Sequence, residues 1–308
     1  MRLVFLGTGA GVPSRHRNVA GLLVEFPERG RAWLVDAGEG TQLQLMKTTL
    51  SAHRIERIFI THLHGDHLFG LPGVLSSRSF QDGVGPLDLY GPPGIAEYAE
   101  ASLRLSSTHL TYDLTVHEVA DGDTLFHEDG YAVTTRLLDH VVPSFGYRMA
   151  EDPRPGALAV DRLVAQGLGP GKWYGELKAG RSVTLPDGRV VDGRDYLGPA
   201  RPGRVVAITG DTRGCAATVE LARGADVLVH ESTYASDLAD RAGLFGHSTA
   251  PQAAGVARAA GVGTLLLTHI SARYGVDDLA RLADEACAVF PNTVVMRDLD
   301  VWDVPGKE

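Results

Sequence analysis

Ile58-Phe59-Ile60-Thr61-His62-Leu63-His64-Gly65-Asp66-His67 is the stretch on which the reading of this chain turns. Three apolar residues are followed by three imidazoles and a carboxylate within six positions. A short apolar run rich in isoleucine reads as a buried strand, and residues just past the C-terminal end of such a strand are where α/β architectures build their sites. Imidazole and carboxylate are the ligands of borderline divalent metals such as zinc. A mononuclear catalytic site needs three protein ligands and an open position, so four candidates in one loop point to two metals. Gly65 is read as a tight turn that lets alternate side chains face one volume.

The pattern repeats outward from this loop. Apolar runs at 3–6, 33–35, 205–208, 227–229 and 265–267 read as further strands, and residues 41–48, 94–106, 251–260 and 276–289 read as helices. In the last of these Val276, Leu279, Leu282, Ala283, Ala286 and Val289 fall on one helical face. Buried strands mixed with amphipathic helices predict an α/β layered domain. Three runs end as the first does: ITGD at Asp211, VLVHE at Glu231 and LLLTH at His269. With His140 in LLDHVVPSFGYR, Asp211 and His269 are the best candidates for the remaining ligands. Singly, each has a plain alternative, since a loop histidine is commonly solvated and an aspartate before threonine commonly caps a helix. A carboxylate shared by two cations would offset their repulsion.

Composition narrows the class. The 308 residues are 44 % hydrophobic and 22 % charged, which excludes a disordered or fibrous chain. No apolar run approaches the roughly 18 residues of a membrane span, and the N-terminal run lacks the long apolar stretch and cleavage site of a signal peptide. Cys215 and Cys287 are too few for a disulfide framework. The expectation is a soluble, cytoplasmic protein. Net charge is −9, which by itself speaks against a nucleic-acid partner. Its distribution speaks otherwise: residues 153–204, rich in Gly and Pro, hold nine Lys+Arg against five Asp+Glu, so this segment is +4 and the rest is −9 − 4 = −13. Such a stretch reads as a functional protrusion rather than a connection.

HLHGDH, with the later His140, Asp211 and His269, resembles the metallo-β-lactamase superfamily. The resemblance is closer to one family within it, ribonuclease Z, whose members trim precursor tRNA at the 3′ end. It runs over essentially the whole chain, through FLGTGAGVP, SRHRN, LVDAGEGTQ, FITHLHGDHLFGLPG, FGYR, GDTR, HEST, GHST and LTHISARY. It implies a four-layer αββα sandwich with an inserted flexible exosite arm. It also implies one zinc held by His62, His64 and His140 and another by Asp66, His67 and His269, with Asp211 bridging. Manganese or another divalent metal is an alternative. A hydroxide between the metals would be the nucleophile, with Asp66 as a possible proton acceptor. The resemblance further implies cleavage of precursor tRNA after the discriminator base, leaving a 3′-hydroxyl, by a homodimer in which one subunit's arm holds RNA cut by the other.

His247 in Gly246-His247-Ser248-Thr249 matches the family histidine that assists at the phosphate and leaving group. By position alone it is equally a neighbour of a helix cap. Glu231 would orient it. Arg15, Arg17 and Asn18 match the family's basic loop near the acceptor end, although Arg15 stands where Lys is usual. The segment 167–180 matches the exosite tip, with Gly171 followed by Lys172 where Pro is common. The arm, residues 153–204, is accordingly expected to bind tRNA as an insertion in a single domain, 1–308. Gly7-Thr8-Gly9-Ala10-Gly11 lacks the spacing of a dinucleotide fingerprint, so no nucleotide cofactor is expected. His16, His53, His109, His117, His127 and His230 are read as structural or solvated. Two rivals remain: a metallohydrolase of the same fold acting on a small phosphodiester or ester, and a non-catalytic RNA-binding protein.

Overall fold

A computed structural model describes residues 1–83 and 85–306. Two seven-stranded sheets carry the body of the chain. The first has the spatial order Val301–Asp303, Arg2–Gly7, Gly21–Phe26, Arg31–Val35, Ile55–Phe59, Leu87–Gly91, Leu114–Glu118. The second runs Thr293–Val295, Thr264–Thr268, Val227–Glu231, Val205–Ile208, Ser144–Glu151, Tyr131–Leu138, Thr124–Glu128. Strands from Arg31–Val35 to Leu114–Glu118 are parallel in the first sheet. The four strands from Val205–Ile208 to Thr293–Val295 are parallel in the second.

Three stacked cores show why the sheets layer. Phe5, Val24, Trp33 and Phe59 of the first sheet pack against Phe126, Tyr147, Ile208 and Val229 of the second. Alternate residues of the first sheet, among them Leu34 and Ile58, meet Leu71, Val74, Leu75 and Ile95 of the outer helices. Ala207, Leu228 and Leu265 meet the alanine-rich Ala250–Ala260 helix and Leu279 and Leu282. Strands buried on both faces therefore read as continuous apolar runs, and the result is a four-layer αββα sandwich. At one end the sheets are joined by polar contacts as well. Phe145 N–H donates to Thr61 O at 2.9 Å and the fully buried Tyr147 hydroxyl donates to Ile60 O at 2.7 Å. Both bonds grip the residues immediately before the histidine loop.

Among the described residues the chain divides into two compact units, residues 1–149 with 205–305, and residues 150–204 with 306. The second unit carries a core of its own. Leu163 of the Val160–Ala165 helix, Leu177 of the Trp173–Lys178 helix, Val191 of the Ser182–Thr184 and Val190–Asp192 hairpin, and Leu168, Leu185 and Tyr196 are buried together. Its apolar residues are sparse in sequence but converge, so this segment is a small folded unit. It starts and ends side by side: Glu151 N–H donates to Arg204 O at 2.8 Å, and Arg154 and Arg201 exchange backbone bonds of 2.9 Å.

Candidate metal centre

Every residue read as a ligand follows a strand on the same side of the sheets. His62, His64, Asp66 and His67 follow Ile55–Phe59 in the first sheet. His140 follows Tyr131–Leu138, Asp211 follows Val205–Ile208 and His269 follows Thr264–Thr268 in the second. The local reason for the loop's shape differs from the expected turn. His64 is extended and Gly65 opens a four-residue helix, Gly65–Leu68. Gly65 has no left-handed φ; a Cβ there would lie 2.2 Å from the exposed Phe69 ring, which would have to move aside. The helical turn sets Asp66 and His67 on a different side from His62 and His64.

Two clusters of ligand atoms result: His62, His64, His140 and Asp211, and Asp66, His67 and His269, with Asp211 also close to His269 and His247. In the first, His62 Nε2 lies 3.1 Å from His64 Nδ1, which is 3.4 Å from His140 Nε2. In the second, His67 Nε2 and His269 Nε2 are 3.1 Å apart, and Asp66 Oδ2 is 3.3 Å from His269 Nε2. Asp211 lies between them: its Oδ2 is 3.6 Å from His62 Nε2 and its Oδ1 is 3.4 Å from His67 Nε2 and 3.3 Å from His269 Nε2.

The outward ring nitrogens decide whether this arrangement suits a cation. His67 Nδ1 donates to Asp36 Oδ2 at 2.7 Å and His140 Nδ1 donates to Gly246 O at 2.7 Å. His62 Nδ1 is 3.0 Å from Thr61 Oγ1, whose hydroxyl donates to Asp36 Oδ2 at 2.9 Å. His269 Nδ1 is 2.9 Å from Thr233 Oγ1, which donates to Glu231 Oε2 at 2.8 Å. Four histidines are thus anchored through one nitrogen with the other left as a lone pair facing inward, the tautomer a metal requires. Asp211 Oδ1, buried among these lone pairs, has no properly formed hydrogen bond among the described residues. Acceptors converging without donors fit a divalent cation and little else.

Protonation tendencies agree for His62, His64, His140 and Asp211, but not for His67. Burial, then the neighbouring His67, holds His62 well below the ordinary imidazole range, and burial likewise lowers His64 and His140. For Asp211, burial pushes the pKa up, but His269, His67 and His62 outweigh it and keep the carboxyl ionised. His67 is raised despite its burial, because Asp211 and Asp36 both face it.

His247 stands beside the clusters, its Nδ1 3.0 Å from Glu231 Oε1 and 3.7 Å from Asp211 Oδ2. Burial pulls its pKa down, and Glu231, Asp211 and Asp66 carry it up to about 9. With Nδ1 turned to Glu231, Nε2 is the nitrogen available to a ligand. The capping role belongs to the next residues: Thr249 accepts from Gln252 N–H and forms a capping box at the Ala250–Ala260 helix. Glu231 is 1 % exposed and accepts from Thr212 N–H, Thr233 N–H and Thr233 Oγ1 besides His247.

Among the residues read as RNA contacts, Arg15 is exposed, as is its neighbour His16. Arg17 is a correction. It is 6 % exposed, and its Nη1 donates to Thr8 Oγ1 and Met296 O, so it braces the loop from inside and does not face a ligand. Asn18 is half-buried and its Nδ2 donates to Glu39 O at 2.9 Å. Gly171 and Lys172 are exposed at the start of the Trp173–Lys178 helix. Three site residues escaped the sequence reading: Asp36, Thr61 and Thr233. Asp36 closes the 33–35 run as Asp211 closes 205–208, so the strand-end rule applied to that run would have found it. Of the incidental histidines, His230 is fully buried, its Nδ1 donating to Glu231 O at 2.7 Å.

A family model described as Anti-Pycsar protein Apyc1 matches residues 1–144. Ribonuclease Z of Limosilactobacillus reuteri (strain DSM 20016) is 52 % identical over 309 residues, covering all of both chains. That of Geobacillus kaustophilus (strain HTA426) is 50 % identical over 306 residues, covering 99 % of each. Among solved structures, human tRNase Z, short form, aligns with a TM-score of 0.73 at 30 % identity, over 99 % of this chain and 100 % of its own. The Bacillus subtilis metallo-beta-lactamase fold protein YhfI, 18 % identical with a TM-score of 0.68 over 98 % of each chain, shares the fold. Identity at this level along whole chains, on a sandwich whose strand ends gather two His/Asp clusters, places the chain in the ribonuclease Z family of the metallo-β-lactamase fold.

Proposed function

We propose that this protein is a metal-dependent endoribonuclease that removes the 3′ trailer from precursor tRNA by cutting after the discriminator base, leaving a 3′-hydroxyl. The observation that carries the reading is the pair of ligand clusters sharing buried Asp211, with His247 held beside them by Glu231, in a chain half identical to ribonucleases Z. His62, His64 and His140 would hold one zinc, and Asp66, His67 and His269 the other, with Asp211 between. The chemistry such metals supply is acidification of a water nucleophile and charge stabilisation at phosphorus.

The chain's own residues supply the rest. Asp36 and Glu231, one from each sheet, fix the imidazole tautomers directly or through Thr61 and Thr233. His247, carrying a proton at neutral pH, presents Nε2–H to the phosphate and the departing 3′-oxygen. Glu231 is its positioning residue. Asp66 can accept a proton from the nucleophile. Arg15 faces solvent where the acceptor end would approach, and Asn18 keeps that loop attached to the body; such contacts orient RNA without reading its sequence.

Residues 153–204 form the RNA-binding arm in this reading. Arg181, Arg189 and Arg194 are paired with Glu176, Asp187 and Asp192, whereas Lys172, Lys178 and Arg201 make no ion pair among the described residues and are free to meet phosphates. A homodimer is supported by apolar side chains on the Thr41–Leu45 helix and at the ends of that helix and of Gly65–Leu68: Leu43, Met46 and Phe69 are 65, 72 and 62 % exposed. No helix of the described residues is long and apolar enough to cross a membrane, and a cytoplasmic location suits a tRNA substrate.

Incubation with a precursor tRNA, with and without chelator, tests the reading. The expected products are tRNA ending in a 3′-hydroxyl after the discriminator and a 5′-phosphorylated trailer, both absent when metal is removed. Cleavage elsewhere, or cleavage indifferent to chelator, would overturn it. The alternative of a small phosphodiester substrate has no use for the arm.

A further inference from the structure

One half-buried carboxylate outside the centre collects four hydrogen bonds from three separate segments. Asp298 Oδ1 accepts from Thr8 N–H at 3.0 Å and Thr8 Oγ1 at 2.7 Å, and Oδ2 accepts from Asn18 N–H at 2.6 Å and Gln44 Nε2 at 2.8 Å. The turn that carries it is clamped to the Arg2–Gly7 strand from both sides: Leu299 N–H donates to Phe5 O and Phe5 N–H to Asp300 O. Leu299 is held at φ 67°, a conformation a branched side chain adopts only under constraint. Buried Arg17 completes the knot through Thr8 Oγ1 and Met296 O.

What hangs from this anchor is the strip of backbone from Thr8 to Gly11. Thr8 O accepts from Ile270 N–H at 2.8 Å, and Gly9–Ala10 pairs in parallel with Ile270–Ser271. The residue before Ile270 is His269, itself at φ 56°. At the far end of the strip Gly11 N–H donates to Asp66 Oδ2 at 2.7 Å. One strip of four residues therefore fixes both Asp66 and the backbone of His269, and none of these bonds involves His62, His64 or His140.

We propose that Asp298 is a positioning residue for the Asp66, His67 and His269 cluster alone, setting two of its three ligands through the Thr8–Gly11 strip. This rests on the reading of two ligand clusters. Asp298→Asn keeps the shape but turns an amide N–H group toward backbone and side-chain donors, so two of the four bonds are lost whichever way the amide faces. The test is stepwise Zn2+ competition against a chromophoric chelator, with Co2+ absorption spectra recorded at one and two equivalents. Wild-type protein should take two equivalents. In Asp298→Asn one should bind about 10- to 100-fold more weakly while the other stays within about twofold, and the Co2+ spectrum should change for one equivalent only. Adding Asp298→Asn to His269→Ala should leave the remaining equivalent unchanged, whereas adding it to His140→Ala should weaken it. Should Asp298→Asn not fold, Thr8→Val, which removes one bond to the carboxylate, is expected to move the same equivalent less. Equal loss of both equivalents, or loss of neither, overturns the assignment; a wild-type protein binding no metal would instead overturn the metal centre itself.

Discussion

Replacing Glu231 by Gln removes a charge 3.0 Å from His247 Nδ1 and almost no volume. His247 is raised from 6.5 to about 9, a net rise of about 2.5 pH units against the opposing effect of burial. Among the groups that push it up, Glu231 is strongest, acting by hydrogen bond and by charge ahead of Asp211 and Asp66. Gln can still accept the Nδ1–H bond, so what the substitution removes is the charge, and the pKa of His247 falls from about 9 toward its ordinary value. A fall of about 1 pH unit corresponds to about 1.4 kcal/mol. Coulomb attraction at 3.0 Å and an effective dielectric constant of about 20 reaches roughly 5 kcal/mol, which leaves room for a larger effect. The sign follows from the role. His247 gives a proton when it is charged, so the rate falls as pH rises through its pKa, and the variant's fall should begin at lower pH. The assay is kcat/KM for a precursor tRNA as a function of pH. A bound cation lowers the limb in both proteins, so the difference between them is the tested quantity. Gln cannot accept all the bonds that Glu231 receives from Thr212 and Thr233, and a stability cost of about 1–2 kcal/mol is expected, but that slows the reaction evenly across pH. An alkaline limb that does not move would refute the proton-donor role of His247, and so would a shift that persists when His247 is also replaced by Ala.

The two kinds of histidine should separate in a metal assay: His64→Ala should lose metal and activity together, whereas His247→Ala should keep its metal and cut about 10²- to 10⁴-fold more slowly. Replacing residues 153–204 by a short Gly/Ser linker, which the adjacent ends at Glu151 and Arg204 permit, should abolish precursor tRNA processing while cleavage of a small chromogenic phosphodiester continues. Unimpaired tRNA processing would remove the arm from the mechanism. Within the arm, Arg154, Lys178, Arg201 and Arg204 line a cavity of about 500 Å3; Lys178→Ala with Arg201→Ala should weaken tRNA binding and reduce its logarithmic salt dependence by about 1–2, measured by fluorescence anisotropy across salt concentrations.

The residues that gather in the two clusters were legible because they obey two local rules at once. His62, His64, Asp66 and His67 crowd one loop, and Asp211 and His269 each end an apolar run that could only be a buried strand. Helix 276–289 was legible in its amphipathic face, although the first turn, Val276–Asp278, is a 3-10 turn before the Leu279–Cys287 helix. What escaped has a common cause. Asp298 meets Thr8 across 290 positions and Glu231 reaches His269 through a threonine, and no local spacing encodes a contact closed by the whole sandwich. Arg17 misled for the complementary reason, since two arginines in a polar loop look alike until one is seen to be buried. The arm's leucines, scattered among glycines and prolines, have no period from which a shared core could be inferred. The strand Tyr131–Leu138 does alternate between buried and half-buried positions over most of its length, but its charged and threonine-rich sequence hides the period-two pattern.

Each ligand cluster draws on both sheets, with His140 completing the first and His269 the second. Any cation held there is consequently a cross-link between two halves of the sandwich, in a chain whose cysteines are free. Metal occupancy then sets mechanical integrity as well as catalysis. Binding that favours the folded state adds RT ln(1 + [M]/Kd) to its stability, so the loaded protein would gain resistance to heat and proteolysis with the logarithm of free metal. The stripped protein keeps its three apolar cores but loses the tie at one end, where the ligand-bearing loops are free to part before the strands behind them do.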